Sequence, residues 1–490
     1  MNQDFVKRAR QLAEWIKEKD DFAVIYNYDA DGISAGAIIC KSLERLGKTY
    51  STKPLKQLYK EEIEKLKAEF PDARNFIFDD FGSGQKQELK EIFAKWNSGE
   101  KNAEQPGKNL VNPDKKNPKL GYIIIDHHQP TKEQFELELN PLLFGVDGGN
   151  EISAAGTSFL VARELGVKNA DLASLAIVGA CGDVQDSQGK LIGTNAEILE
   201  IGEQAGVVKK EMDLRLYGRM TRPLVQFLQF SSSPIIPNLT ANEQNCIKFL
   251  SDLGIPLKNN EHWRSYDDLL PDEKKKLSSA LIVHLHSFNV PEWKLRDLIG
   301  EVYTLSNERK GTALRDAKEF GTLLNACGRH KMAEIGLKVC MGDKGENMLM
   351  ASSLLLEHRR QLSEGIRLMQ EEGLREFNGF YFFDSGEKIK DSIIGIVAGM
   401  LYGSGTILPT KPIIALSRVD EQYSKASGRA TKDLVLKGLN LGKIFKEMQN
   451  DFGQGTEGGG HAIAAGIKFP TELKDYFLEE LGERIKKQIG

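Results

Sequence analysis

Four short apolar runs in the first 190 residues each end in an aspartate, and no other feature constrains the fold as much. They are FAVIYNYD (22–29), NFIFDD (75–80), YIIID (122–126) and LAIVGACGD (175–183). Amphipathic stretches such as Ile33–Leu46 and Lys56–Phe70 separate them. The alternation predicts an α/β domain with a mainly parallel sheet and helical crossovers. In an open parallel sheet, side chains at the carboxyl ends of the strands converge on one crevice. Asp29, Asp31, the pair Asp79 and Asp80, Asp126 and Asp183 are expected to meet there, with His127 and His128 directly after Asp126.

Carboxylates crowded in this way must be protonated or neutralised by cations. Oxygen donors with one or two imidazoles suit Mn2+ or Mg2+, and Mn2+ tolerates the histidine more readily. Two such ions about 3.5–4 Å apart would stabilise both the attacking and the leaving oxygen at phosphorus. A single aspartate at a strand end is commonly a helix cap or turn former, and DADG alone punctuates many turns. Four acidic strand ends in one domain, with DHH after an apolar strand, are what point to a site.

The rest of the chain narrows the class. A 490-residue chain that is 40% hydrophobic fills several cores, and a formal net charge of −4 gives no overall basic field, so any nucleic-acid contact needs a local patch. The five cysteines are scattered without a CxxC pair, which predicts reduced, mostly buried thiols and no zinc site. The N-terminus is amphipathic and charged, and no run of 18 apolar residues occurs, so a cytoplasmic, non-membrane protein is expected.

Four segments are predicted: a catalytic domain over 1–195, a mainly helical insertion over 196–310, a linker region with one long helix (345–372) over 311–373, and a second α/β lobe over 374–490. The polar stretch 97–119 reads as a mobile surface insertion. In the second lobe, the triplet Gly458, Gly459 and Gly460 before His461 would let backbone N–H groups approach an anion, and Arg429 in SGRA (427–430) would add a phosphate contact beside Ser427. Glycines alone more often make only a flexible loop, and it is the small-residue run HAIAAG after them that argues for tight packing. Basic residues that could follow a single strand are Lys53, Lys56, Arg315, Lys318, Arg329 and Lys331, although each reads equally well as a solvated surface charge.

The ordered set DADG (29–32), DFGSG (80–84), DHH (126–128), GDVQD (182–186) and GGGH (458–461) resembles the DHH/DHHA1 phosphoesterases, and within them the archaeal RecJ-like nucleases that associate with the GINS complex. The similarity covers essentially the whole chain. It implies an active cleft between a DHH domain and a C-terminal DHHA1 domain. It also implies metal ligation by Asp29, Asp31, Asp80, Asp126, His127 and Asp183, with Asp80 bridging two ions, and catalytic roles for Asp126, His127 and His128. Substrate contacts would come from Ser427, Arg429, Gly458, Gly459, Gly460 and His461. The implied activity is Mn2+- or Mg2+-dependent removal of nucleotides from an end of single-stranded DNA, 5′ to 3′, in replication or repair, with RNA as the other polymer. Related proteins make an oligoribonucleotide or cyclic-dinucleotide phosphodiesterase, or a replisome scaffold with weak activity, the alternatives. The insertion is the expected place for a GINS-type partner. One departure stands out: two positions before Asp29, where relatives carry His or Asp, this chain has Asn27.

Overall fold

The computed structural model describes residues 2–98, 119–231, 234, 236–240, 242–290, 295, 298–377, 379–404, 407–453 and 455–489. They form two compact units: Met1–Phe227 with Leu253–Leu355, and Leu228–Asp252 with Leu356–Gly490.

The first unit is built on five parallel strands, β1 (Phe22–Asn27), β2 (Tyr50–Leu55), β3 (Asn75–Asp79), β4 (Gly121–Ile125) and β5 (Glu138–Leu139), in the order β2-β1-β3-β4-β5. Alternate residues face opposite layers, as a strand's period of two requires. Val24, Tyr26, Ile77, Ile123 and Ile125 join one core with helices α1 (Gln3–Lys17), α2 (Ala30–Arg45), α5 (Ala154–Leu165) and α6 (Ala173–Gly182). Ala23, Ile25, Phe76, Phe78 and Ile124 join the other, under α3 (Lys60–Glu69) and α4 (Lys86–Ser98). Chain order reverses between β1 and β3, which opens a crevice at their carboxyl ends.

Two expectations are corrected. LAIVGACGD is not a strand: Ala173–Gly182 is helix α6, and Asp183 is its C-cap. A helix buried on nearly all sides shows no amphipathic period, so a short apolar run is read as a strand. Its small residues have a packing cause, since a Cβ on Gly179 would stand 2.4 Å from Ala155 Cβ and 2.5 Å from Asp31 Oδ1. Second, the sheet gains β2 and the two-residue β5, which the four-strand reading lacks. The mainly helical 196–310 segment also holds an antiparallel ribbon that pairs Val208–Leu214 with Ile299–Leu305. Most of the predicted surface insertion, residues 99–118, lies outside the described residues.

The long helix spans Glu346–Glu372. The second unit carries a six-stranded sheet in the order Arg375–Phe377, Phe380–Asp384, Ile413–Arg418, Tyr423–Arg429, Ala464–Pro470 and Glu457–Gly460. Helices Leu441–Phe452 and Lys474–Ile489 cover one face, and Ile394–Ser404 packs on the other. No described helix is long and apolar enough to cross a membrane.

Candidate metal centre

Three strand ends bring their residues to the crevice. After β1 the chain turns directly into α2, with Asp29 as N-cap accepting from Gly32 N–H at 3.1 Å. Asp31, in the first turn, is fixed by the start of another helix: its oxygens accept from Ala154 N–H at 2.7 Å and Ala155 N–H at 2.9 Å. The positive end of α5 thus steadies a buried carboxylate. β3 ends at Asp79, and Asp80 follows with φ 66°, a left-handed conformation. Asp79 points into the core, where its Oδ1 accepts from Ser158 Oγ at 2.7 Å. Asp80 is 1% exposed and its Oδ1 has no hydrogen bond.

His127 organises the rest. Its Nδ1 lies 2.7 Å from the carbonyl oxygen of Gly148, so Nδ1 carries the proton and donates. Nε2 is left facing carboxylates, 3.2 Å from Asp80 Oδ1 and 3.8 Å from Asp31 Oδ2. A histidine tied through one ring nitrogen with the other aimed at acidic groups is arranged as a metal ligand. Gly148 must be glycine for this approach, because a Cβ there would stand 2.2 Å from the His127 carbonyl oxygen. Gln185 completes the link by donating to the same Gly148 carbonyl and to Asp183 Oδ2, both at 2.9 Å.

Two overlapping groups of donors result, Asp80 with His127 and His128, and Asp31 with His127 and Asp183. Within each group the ligand atoms lie within 4.8 Å of one another. The orphaned Asp80 oxygen and the carboxylate and imidazole donors fit Mn2+ or Mg2+. Asp126, expected as a ligand, is in neither group. Its Oδ1 accepts from His127 N–H, His128 N–H and His128 Nδ1, and its Oδ2 from Ser83 N–H. Asp29 is also outside both groups but lines a cavity shared with Asp31 and Asp183, and Asn27 turns its Oδ1 to Tyr28 N–H.

The electrostatics are those of carboxylates and imidazoles crowded into a buried pocket. Burial, with Asp29 and Asp31 nearby, pushes Asp80 up to about 8. Withdrawal from water and the Asp31 charge take Asp183 to about 7. Burial opposes charge on His128, but the Asp126 carboxylate outweighs it and raises His128 to about 9. Burial would likewise raise Asp126, yet its hydrogen bonds from His128 hold it at about 2. Asp80, Asp183 and His128 bind protons more tightly folded than unfolded. Without metal, the stability they contribute is therefore present below about pH 4 for the carboxylates and is lost as pH rises through 7 to 9. Mn2+ should offset that loss. Its thermal stabilisation is expected to be several degrees larger at about pH 8 than at about pH 5.5, and equal shifts in a thermal-melt series would contradict the assignment.

A cavity of about 260 Å3 opens over Asp29, Asp31 and Asp183. Two residues of the Ala317–Arg329 helix line it. Asn325 accepts from Ala30 N–H at 3.0 Å and donates to the Gly182 carbonyl at 3.4 Å, clamping the two acidic turns together. Sequence reading missed Asn325, because an asparagine in an amphipathic helix carries no signal of its own. Arg329 lines the cavity with no hydrogen bond or ion pair to any described residue, and burial lowers its pKa. Other expected strand-tracking cations are committed elsewhere: Lys53 to Glu69, Lys318 to Asp186, and Arg315 to the carbonyls of Leu305, Ser306 and Glu308. Lys56 and Lys331 are exposed.

In the second unit, Ser427 and Arg429 lie on the Tyr423–Arg429 strand, paired with Gly466 and Ala464. Arg429 is half-buried, donates to the Gly428 carbonyl at 2.8 Å, and packs so tightly on Gly395 that a Cβ there would stand 2.4 Å from its Nη2. Gly458 and Gly460 are packing glycines, close to the Phe445 carbonyl and to Ala464–Ala465, whereas Gly459 faces open space and His461 is exposed.

Residues 216–299 match the DHH-CID domain and residues 378–487 the DHHA1 domain. The chain is 32% identical over 495 residues to the uncharacterised protein MJ0831 of Methanocaldococcus jannaschii, covering 99% of both. This protein belongs to the DHH/DHHA1 phosphoesterase family. Its fold is that of RecJ. Against the crystal structure of RecJ from Thermus thermophilus in complex with Mn2+ the TM-score is 0.58 at 16% identity, with 99% of this chain covering 55% of that one. Against CDC45 from Entamoeba histolytica it is 0.60 at 14% identity, with 99% of each chain covered. For this DHH/DHHA1 protein, the match over 216–299 falls inside the segment read as an insertion, and the match over 378–487 contains the SGRA and GGGH motifs.

Proposed function

We propose that this protein is a Mn2+- or Mg2+-dependent exonuclease that removes nucleotides from an end of single-stranded DNA, 5′ to 3′, in replication or repair. The observation that carries the reading is His127, whose Nδ1–H is anchored on Gly148 while Nε2 faces the Asp31, Asp80 and Asp183 carboxylates. Asp31, Asp80, His127, His128 and Asp183 would hold two ions, with Asp29 and Asp126 in support. When bound, such ions activate water and neutralise charge at phosphorus.

The chain's own groups do the rest. Asp126 orients both histidines, and Asn325 fixes the spacing of the Asp29 and Asp183 turns. Arg329, unengaged in the cavity, would contact a non-bridging phosphate oxygen as a charge-assisted donor. Arg429, Ser427, His461 and the backbone at Gly459 would hold the substrate chain, and the 216–299 region would receive a GINS-type partner.

Digestion of 5′-labelled and 3′-labelled single-stranded oligonucleotides with Mn2+ tests this. Stepwise release of mononucleotides from the 5′ end is expected, and none after chelation. Turnover confined to dinucleotides would replace the polymer reading with a short-substrate phosphodiesterase. No product from either substrate sinks the enzyme reading.

A further inference from the structure

Beneath the metal centre lies a polar network that the site itself does not account for. Lys86 and Glu138 form an ion pair at 2.9 Å with side chains 2% and 0% exposed. Glu138 also accepts from Ser83 Oγ at 2.6 Å, and Ser83 Oγ accepts from Asn140 Nδ2 at 2.8 Å. Ser83 and Asn140 are both fully buried. The network leads to the site at two points: Ser83 N–H donates to Asp126 Oδ2 at 3.0 Å, and Asn140 Nδ2 donates to the His128 carbonyl at 2.8 Å.

A buried ion pair is a poor source of stability, since desolvation roughly cancels the attraction and an apolar pair of similar volume does as well or better. What this pair does supply is direction. The loop it grips holds a non-glycine residue, Asp80, at φ 66°, and a residue held in so sparsely populated a backbone conformation needs surroundings that fix it. Asp80 N–H donates to the Ile125 carbonyl at the end of β4 at 2.8 Å, and Ser83 adds the tie between the far side of that loop and the Asp126 carboxylate.

Building on the metal-centre reading, we infer that Lys86 and Glu138 are positioning residues: through Ser83 and Asn140 they fix Asp80 relative to the Asp126–His128 turn, and so set the affinity of the Asp80, His127 and His128 group for its ion. They touch neither ion nor substrate. Their removal therefore changes metal affinity without needing to change the fold.

Calorimetric titration of the full-length chain with Mn2+, alongside thermal melting of the metal-free protein, tests the inference. The double variant Lys86→Met/Glu138→Leu replaces the pair with apolar groups and should melt within a few degrees of the wild type, yet bind Mn2+ about 10–100-fold more weakly. Ser83→Ala removes one oxygen and should weaken binding by about tenfold; it decides the matter if the double variant does not fold. Wild-type Mn2+ affinity in either folded variant overturns the inference and leaves the metal centre standing. A wild-type chain that binds no Mn2+ overturns both.

Discussion

Replacing His127 with alanine is expected to lower hydrolysis by about a thousandfold or more, on the order seen when a group central to transition-state charge stabilisation is removed. The reason is geometric. His127 is the one residue common to both donor groups, so its loss degrades both ion positions, whereas Asp183→Ala touches only the Asp31, His127 and Asp183 group. Asp183→Ala should therefore lose Mn2+ from one position and retain part of the other. His127 is also buried among carboxylates that hold its pKa well above the ordinary value despite burial. Without the imidazole those carboxylates repel each other, so the metal-free variant should melt lower than the wild type at neutral pH. Melting curves and single-turnover rates measured on the same samples separate the two effects.

The second large effect falls on Arg329. Arg329→Ala should reduce kcat by about a hundredfold while leaving Mn2+ binding unchanged, because the guanidinium lines the cavity without belonging to either donor group. Lysine in its place should recover a part of the rate, since it returns the charge but not the planar pair of donors. A variant that loses Mn2+ affinity in parallel with kcat would show that Arg329 instead supports the Asp29 turn.

Much of the first unit was readable because its central strands announce themselves. β1, β3 and β4 are apolar, bounded and followed by acidic residues, and their alternation sorts side chains into two layers whatever the connections. β2 was hidden for the opposite reason: YSTKPL is polar and contains Pro54, features that suit an edge strand and blunt its pairing edge but erase the alternation. α6 was misread because burial on every side removes the helical period, and only its contact with Asp31 and α5 explains why it is so rich in small residues. The Val208–Leu214 strand has an exposed centre, KKEM, which reads as solvated chain.

The site was legible as a set of residues and illegible as a set of roles. Asp31, Asp80, His127, His128 and Asp183 do come together, but nothing in the letters DHH says that Asp126 spends its oxygens on four N–H donors while His127 faces outward to the carboxylates. The anchor of His127 is a backbone carbonyl, at Gly148, and a carbonyl has no letter in a sequence. Likewise nothing local in the sequence marks Lys86 and Glu138, since each one's partner lies some fifty residues away. For the glycine triplet, tight packing accounts for Gly458 and Gly460, leaving Gly459 as the position with room for a ligand.

The most direct test of the metal centre is the stoichiometry of Mn2+ binding to the full-length chain, by equilibrium titration at about pH 8. Two ions per chain in the wild type and none bound tightly in His127→Ala are the predicted result. Equal binding by the two proteins would contradict the assignment of His127 as the shared ligand, and with it the account of the site.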